Sequence, residues 1–430
     1  MPDTNLLSLQ IDHVGILQGR YEEVLENHGY DSLLISSGAA PVRYGDDQSW
    51  QFQGYGPFLH WTGLAGFEHA WLLIRKGHKP LLSMHQPVDF WHASLELAQE
   101  PWLAEFELRF SEHRAAPALD SLGQLAVIGD PLLLADVSGE HNPGALCDAI
   151  DETRVHKTAY EIACLAHANR LAIAGHHAAR DAFLAGASEF EINLTYQRAT
   201  QQREADAPYH SIIGVNEHAG TLHYQCYDAA APDKSRSLLI DAGVRYRGYC
   251  SDVTRTTAGV GEGRFGALVQ GLEQLQFRLC KMVAPGVDYV DIHRRTHQGI
   301  AALLSAAGLV SGLSDEEMVS EGVTRAFFPH GIGHFLGVQV HDVAGKPVPS
   351  PADAPFLRLV RTLEPGMVVT IEPGLYFIPS LLEPLLSGPL GEHMNRALIK
   401  ELQGCGGIRI EDNVVVTDSG SRNLTREAEA

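Results

Sequence analysis

The chain has 430 residues, 45% of them hydrophobic and 20% charged, and carries a formal charge of −21. That length exceeds what one hydrophobic core organises, and the composition is that of a soluble globular protein, so two folded domains are expected. The acidity argues against nucleic acid or an anionic membrane surface as partner, because both need a basic face.

The first third alternates helical and extended patterns. Residues 7–28 place Leu, Ile and Val at helical spacing and end at Gly29. Short apolar runs at 32–35, 71–74, 80–84 and 125–128 follow, separated by Gly, Pro and polar turns, which predicts a small α/β domain around a sheet. Asn142-Pro143-Gly144 marks a turn, and residues 157–184 form a long alanine-rich amphipathic helix. The domain boundary is therefore placed near residues 150–160, dividing the chain into 1–156 and 157–430. The second part mixes helices at 264–284 and 289–307 with strand-rich stretches at 211–257, 326–343 and 366–417.

Cys147, Cys164, Cys226, Cys250, Cys280 and Cys405 are scattered and form no CxxC pair, so reduced core thiols are expected. No basic start followed by an apolar run opens the chain, and no run of about 18 apolar residues occurs. A cytoplasmic protein with no membrane partner is the expectation.

Four segments of the second part carry carboxylates or histidines in unusual company. In SLLIDAGVRYRGYCSDVTRTT (237–257), an apolar strand runs into Asp241, and Asp252 opens the next strand. Antiparallel pairing can bring these two carboxylates onto one patch of sheet. A carboxylate at the end of a buried strand is costly unless a cation or several donors meet it. In FPHGIGHFLGVQVHD (328–342), His330 and His334 are four apart, but Gly331 and Gly333 make a helix improbable. His341 follows the alternating Gly-Val-Gln-Val, and residue pattern alone does not choose among the three histidines. In LEPGMVVTIEPGLY (363–376), Glu372 ends an apolar strand. In GGIRIEDNVVV (406–416), alternation puts Ile408 and Ile410 on one face and Arg409 and Glu411 on the other.

Two Asp, two Glu and an imidazole make an oxygen-rich set suited to a pair of Mn²⁺, Co²⁺ or Zn²⁺ ions rather than to a structural zinc. A paired site of this kind polarises a carbonyl and leaves a bridging hydroxide as nucleophile, so hydrolysis is the expected chemistry.

The series IDAG…SDVTRT, PHGIGHFLGVQVHD, LEPGMVVTIEPGLY and GGIRIEDNVVV resembles the pita-bread metallopeptidases, over residues from about 157 to 425. The resemblance implies an α/β N-terminal domain followed by an α+β pita-bread catalytic domain. It also implies a dinuclear centre of Asp241, Asp252, His334, Glu372 and Glu411, occupied by two divalent ions, manganese first among them. Asp252 and Glu411 would bridge the ions, and Glu372 would shuttle the proton from water to the leaving amine. Within the family, PVDFWH (87–92), NEHAGTLHY (216–224) and APFLRLVRTLEPGM (354–367) are most similar to the bacterial prolidases, which cleave Xaa-Pro dipeptides.

That likeness implies Arg358 as the reader of the substrate carboxylate, since a guanidinium fork suits a carboxylate bidentately. His223 and His341 would hold the carboxylate or the oxyanion, with His330 and Arg409 behind them, and Tyr209 and Tyr289 would line the pocket. A homodimer is implied, with the N-terminal domain in the dimer contact and Asp47 closing the neighbouring subunit's pocket. Two departures stand out: 344–358 is shorter than its counterpart, and YGDDQSWQFQGYGPF (44–58) keeps the paired Asp without the usual aromatic-proline run. The alternative activity is an aminopeptidase P-like removal of a residue before proline from longer peptides. Hydrolysis of organophosphorus esters is a possible side reaction of the same nucleophile.

Overall fold

The computed structural model describes residues 4–92, 100–118 and 122–430. The chain divides into two compact units, one of residues 1–164 with 246–249 and 337–339, the other of the remainder.

The first unit is built on a six-stranded mixed sheet. In spatial order its strands are Glu107–Ser111, Leu81–His85, Trp71–Arg75, Ser32–Ser36, Leu125–Ile128 and Glu140–His141. Strand alternation sends Leu33, Ile35, Leu72, Ile74 and Leu82 to one face, where they meet Val14, Leu17, Tyr21 and Leu25 of the helix Thr4–His28. Leu34, Trp71, Leu73, Leu81 and Val127 pack on the other face with Leu134. Both faces are covered, which is why these runs read as continuous apolar segments rather than alternating ones. The edge strand Glu107–Ser111 is largely exposed; Leu108 and Phe110 alternate with polar residues, but two apolar positions in five residues are too short a pattern to have announced it. Among exposed large side chains of this unit are Val42, Tyr44, Trp50, Phe90 and Trp91.

The second unit carries three small antiparallel sheets. Ile212–Val215, Ser237–Asp241 and Thr254–Ala258 form the first; Val368–Ile371, Asp412–Thr417 and Gly420–Asn423 the second; Gly374–Tyr376 and Gly407–Arg409 the third. A bridge between Thr254 and Glu411 joins the first to the segment linking the other two. Helices Ala159–Leu184, Glu189–Thr200, Gly263–Met282 and Tyr289–Ala306 accompany them. Ser188 and Glu191 cap the second of these reciprocally, and the Asp288 side chain accepts from Val290 N at the start of the last.

Three expectations are corrected here. Residues 326–343 are not strand-rich: after the helix Val323–Phe327 the backbone is irregular, with one isolated bridge between Phe335 and Val369. Pro329, Gly331, Gly333 and Gly337 prevent a regular ladder, so Gly-Val-Gln-Val before His341 is not a strand. The stretch 366–417 contains strands only at its ends, with helices Pro379–Ser387 and Arg396–Gln403 between them. All six cysteines are unpaired, but Cys226 is exposed and is not a core thiol. No helix among the described residues is long and apolar enough to cross a membrane.

Candidate metal centre

The three sheets deliver their carboxylates to one place. Asp241 ends its strand opposite Thr254, and Thr254 in turn bridges to Glu411. Asp252 lies two residues before Thr254, and Glu372 follows directly on the strand Val368–Ile371. His334 is fixed on that strand by its backbone: Thr370 N donates to His334 O at 2.9 Å, and His334 N donates to Thr370 Oγ1 at 3.2 Å. Gly333 makes this possible. With φ +152°, a Cβ there would fall 2.3 Å from the Tyr289 hydroxyl and 2.4 Å from Thr370 O.

Three overlapping groups of ligand atoms result, each within 4.8 Å: Asp241 with Asp252 and Glu411, His334 with Glu372 and Glu411, and Asp252 with His334 and His341. His334 Nδ1 donates to Phe335 O at 2.9 Å, which leaves Nε2 facing Asp252 Oδ2 at 3.3 Å and Glu372 Oε1 at 3.7 Å.

Four largely buried carboxylates lie together here with Arg409 and His334 as the nearest cationic groups. Burial, then Asp252, holds the Glu411 carboxyl well above its ordinary range. Burial drives Glu372 up to about 7 against the opposing pull of His334, and burial raises Asp241 despite Arg409. For Asp252, burial is outweighed by the hydrogen bond and charge of His334, so its pKa falls and that of His334 rises. Glu411 Oε1 is buried and has no hydrogen-bond partner. An orphaned carboxylate oxygen among three other carboxylates is what a divalent cation would satisfy, and the donor set fits two such ions.

Around the ligands runs a polarised chain. Arg409 is buried and donates through Nη2 to Asp241 Oδ2 at 2.7 Å and through Nη1 to the Tyr376 hydroxyl at 2.8 Å. His330 Nδ1 lies 2.8 Å from the Gly331 carbonyl, which can only accept, so Nδ1 carries the proton. Its Nε2 therefore accepts from the Tyr376 hydroxyl at 2.9 Å. Burial, then Arg409, depresses the His330 pKa to about 3, in keeping with a neutral ring. His330 and Arg409 thus lie beside the carboxylate cluster, and both also line the cavity that opens on it.

A cavity of about 890 Å³ opens on this centre. His223, His341, Arg358 and Tyr209 line it together with the five ligand residues and Phe356. The His341 ring stands edge-on to His334 with centroids 4.3 Å apart, and burial lowers its pKa to about 4. The Tyr209 hydroxyl reaches Asp241 Oδ1 at 2.8 Å and Asp252 Oδ1 at 2.6 Å, so it touches the ligands themselves as well as the cavity. Tyr289 does not line the cavity. It is fully buried, and its hydroxyl donates to Thr370 O at 2.7 Å, because its position at the start of a packed helix turns it to the back of the strand. Asp47 belongs to the first unit and is exposed beside the Val42–Ser49 bridge, its carboxylate accepting from Gln48 Nε2.

Residue patterns overlooked three supports. Tyr376 lies four positions after Glu372, on the same face of an extended chain, a signal masked by the intervening Pro373-Gly374. Thr254 Oγ1 donates to Glu411 Oε2 at 2.7 Å. Asn413, two residues past Glu411, accepts from Asp252 N at 3.1 Å, donates to Asp252 O, and accepts from Asn169 Nδ2 at 2.9 Å. The Thr425 hydroxyl completes the ring by accepting from Asn413 N at 2.8 Å and donating to Asn169 Oδ1 at 2.7 Å. Asn413→Ala is expected to weaken divalent-metal affinity roughly 10–100-fold, the usual loss when a group orienting a ligand is removed. Isothermal titration with Mn²⁺ measures this, and unchanged affinity would deny the ring any role in placing Asp252.

Comparison with known proteins follows the same division of the chain. Residues 163–418 match the model of metallopeptidase family M24, and residues 8–151 match that of the Xaa-Pro dipeptidase N-terminal domain. The chain is 71% identical over 429 residues to a Xaa-Pro dipeptidase of Marinobacter nauticus, covering 100% of both chains. It is 42% identical to a Xaa-Pro dipeptidase of Edwardsiella ictaluri, covering 98% of each. Among solved structures it resembles aminopeptidase PepP of Pseudomonas aeruginosa, with a TM-score of 0.73, 21% identity, and coverage of 96% of this chain and 95% of that one. Aminopeptidase P of E. coli with the inhibitor Pro-Leu gives a TM-score of 0.72 at 22% identity, covering 97% and 95%. At these identities the structural likeness bears on the fold alone.

Proposed function

The chain belongs to metallopeptidase family M24, and from that premise we propose that it hydrolyses Xaa-Pro dipeptides. The observation that carries this reading is the placement of Arg358, His223 and His341 on the wall of the cavity that holds the carboxylate cluster. A dipeptidase must bind a free carboxylate one residue from the scissile bond, and these groups offer a cation and two imidazoles at that place. The names of the relatives at 71% and 42% identity support the same substrate class.

Asp241, Asp252, His334, Glu372 and Glu411 would hold two divalent ions, manganese being the first choice for so oxygen-rich a set. When bound, such ions activate water and polarise a carbonyl. The chain's own residues do the rest. Arg358 and His223 orient the dipeptide by its carboxylate, and His341 donates an N–H toward the oxygen on which charge develops. Glu372 takes a proton at its carboxylate and returns it to the departing proline nitrogen. Arg409 and Tyr376 keep Asp241 and His330 in place.

Arg358→Ala is expected to raise KM for an Xaa-Pro dipeptide about 10–100-fold, consistent with losing about 1.5–3 kcal/mol from a charged hydrogen bond, with metal content unchanged. Metal loss in this variant would place Arg358 among the ligand supports instead.

The cavity, about 890 Å³, is roomy for a dipeptide, which favours a second reading, aminopeptidase P-like cleavage of longer peptides. Turnover of Xaa-Pro against Xaa-Pro-Xaa decides between them, and preference for the tripeptide would overturn the dipeptidase reading. To the same proposal belong a homodimer joined through residues 1–156 with Asp47 at the partner's pocket, a cytoplasmic location consistent with six unpaired thiols, and a side activity on organophosphorus esters.

A further inference from the structure

The segment that carries His223 into the cavity hangs on one buried carboxylate. Glu189 opens the helix Glu189–Thr200, is 2% exposed, and is not among the residues that line the cavity. Its oxygens accept four hydrogen bonds, all from residues 215–228. Val215 N at 2.7 Å and His218 Nδ1 at 2.8 Å reach Oε1, and the Tyr224 hydroxyl at 2.8 Å and Asp228 N at 2.7 Å reach Oε2. Glu189, His218 and Asp228 group closely enough to suggest a cation site. Both Glu189 oxygens, however, are already met by protein donors, which makes the group a tether instead.

Its placement gives the tether a purpose. His218 stacks on Tyr224 with ring centroids 4.4 Å apart, so the two side chains that reach Glu189 also support each other. Tyr224 stands in sequence between His223 and Gln225, and both of these line the cavity. Between Leu222 and Cys226 the described residues make one side-chain hydrogen bond, that of Tyr224 to Glu189. The ends of the segment are secured separately. Asn216 and Tyr227 adopt left-handed backbone with φ 58° and 42°, the Asn216 side chain accepts from Arg236 N, and the Tyr227 hydroxyl donates to Ser211 O. The middle, where His223 and Gln225 sit, depends on Glu189.

We propose that Glu189 is a positioning residue for substrate binding, fixing His223 and Gln225 at the cavity wall through Tyr224. The proposal rests on the reading of His223 as part of the dipeptide carboxylate site. Loss of the tether leaves the metal ligands untouched, so it should affect binding of substrate more than the chemical step.

Tyr224→Phe removes one bond with little change in shape, and Glu189→Gln replaces one of the two acceptor oxygens with a donor amide. Both are expected to raise KM for an Xaa-Pro dipeptide about five- to twentyfold, with kcat within about twofold and Mn²⁺ content unchanged. Amide hydrogen exchange across 222–226 should accelerate in both. Combined with His223→Ala, either change should add little further loss, since both act through the same contact. Full additivity with His223→Ala, or unaltered KM and exchange in Tyr224→Phe, would overturn the proposal; if Glu189→Gln does not fold, Tyr224→Phe decides alone. Absence of Xaa-Pro turnover in the unmodified protein would sink the dipeptidase reading, while the exchange measurement would still test the tether.

Discussion

Asp252→Asn and Glu411→Gln are each expected to strip the protein of divalent metal and to lower peptide turnover by about 10³-fold or more, the equivalent of several kcal/mol of transition-state stabilisation. Each residue belongs to two of the overlapping ligand groups: Asp252 pairs with Asp241 and Glu411 in one and with His334 and His341 in another, and Glu411 joins Asp241 and Asp252 as well as His334 and Glu372. One amide therefore weakens two positions at once, where loss of Asp241 would touch one group. The substitutions keep shape and remove charge, so the fold should survive. Elemental analysis after dialysis reads the metal, and near-normal content with near-normal turnover in either variant would refute the assignment.

Removing the metal should destabilise the protein, and more so in alkali than in mild acid. Between its unfolded and folded pKa values, a carboxyl raised by folding is protonated in the native state and ionised in the unfolded chain, so stability falls as pH rises across that window. For Glu372 the window runs from the ordinary 4.5 to about 7. His334 acts in the same sense: its pKa is raised above 6.5, so its contribution is present below 6.5 and lost as pH climbs through the folded value. Asp252, held below 3.8, is ionised in both states here and adds nothing. Buried His13 and His176, depressed to about 4 and about 3, destabilise the native state below 6.5 with or without metal, and so cancel in the comparison. The melting-temperature gap between loaded and chelator-treated protein is expected to widen by about 2–4 °C from about pH 6 to about pH 8, roughly 1 kcal/mol. A gap that stays constant would mean that the cluster is not relieved by proton uptake.

The carboxylates of this site were legible in the sequence for a simple reason. Asp241 and Glu372 end strands that are otherwise buried, and a charge in such a place demands a partner. His334 was legible only through family resemblance. Its position depends on Gly333 and Thr370, and on a backbone that is irregular where Gly-Val-Gln-Val suggested a strand. Tyr289 was misplaced because residue type does not tell which face of the strand a tyrosine will meet. The helices between 379 and 403 were overlooked because Pro379, Pro384, Gly388 and Pro389 read as turn residues, although Pro379 in fact opens a helix in its first turn. Glu189 escaped notice altogether: its partners are two backbone amides and two side chains up to 39 positions away, and such a set leaves no local pattern.

The ring around Asn413 has a consequence for how the protein acquires its metal. It joins Asn169 to Thr425, a separation of 256 residues, and the helix Leu424–Glu429 also supplies Glu429 to Arg255, whose Nη1 donates to the carbonyl of Glu411. Contacts so distant in sequence form late, because the whole intervening chain must close before they can be made. Of the five residues gathered at the centre the ring holds Asp252 directly, so its late closure delays the final placing of that carboxylate. A chain interrupted before residue 424 would contain every residue of the cluster but lack the Thr425 corner of the ring, and it is expected to bind divalent metal more weakly, by the roughly 10–100-fold expected of Asn413→Ala.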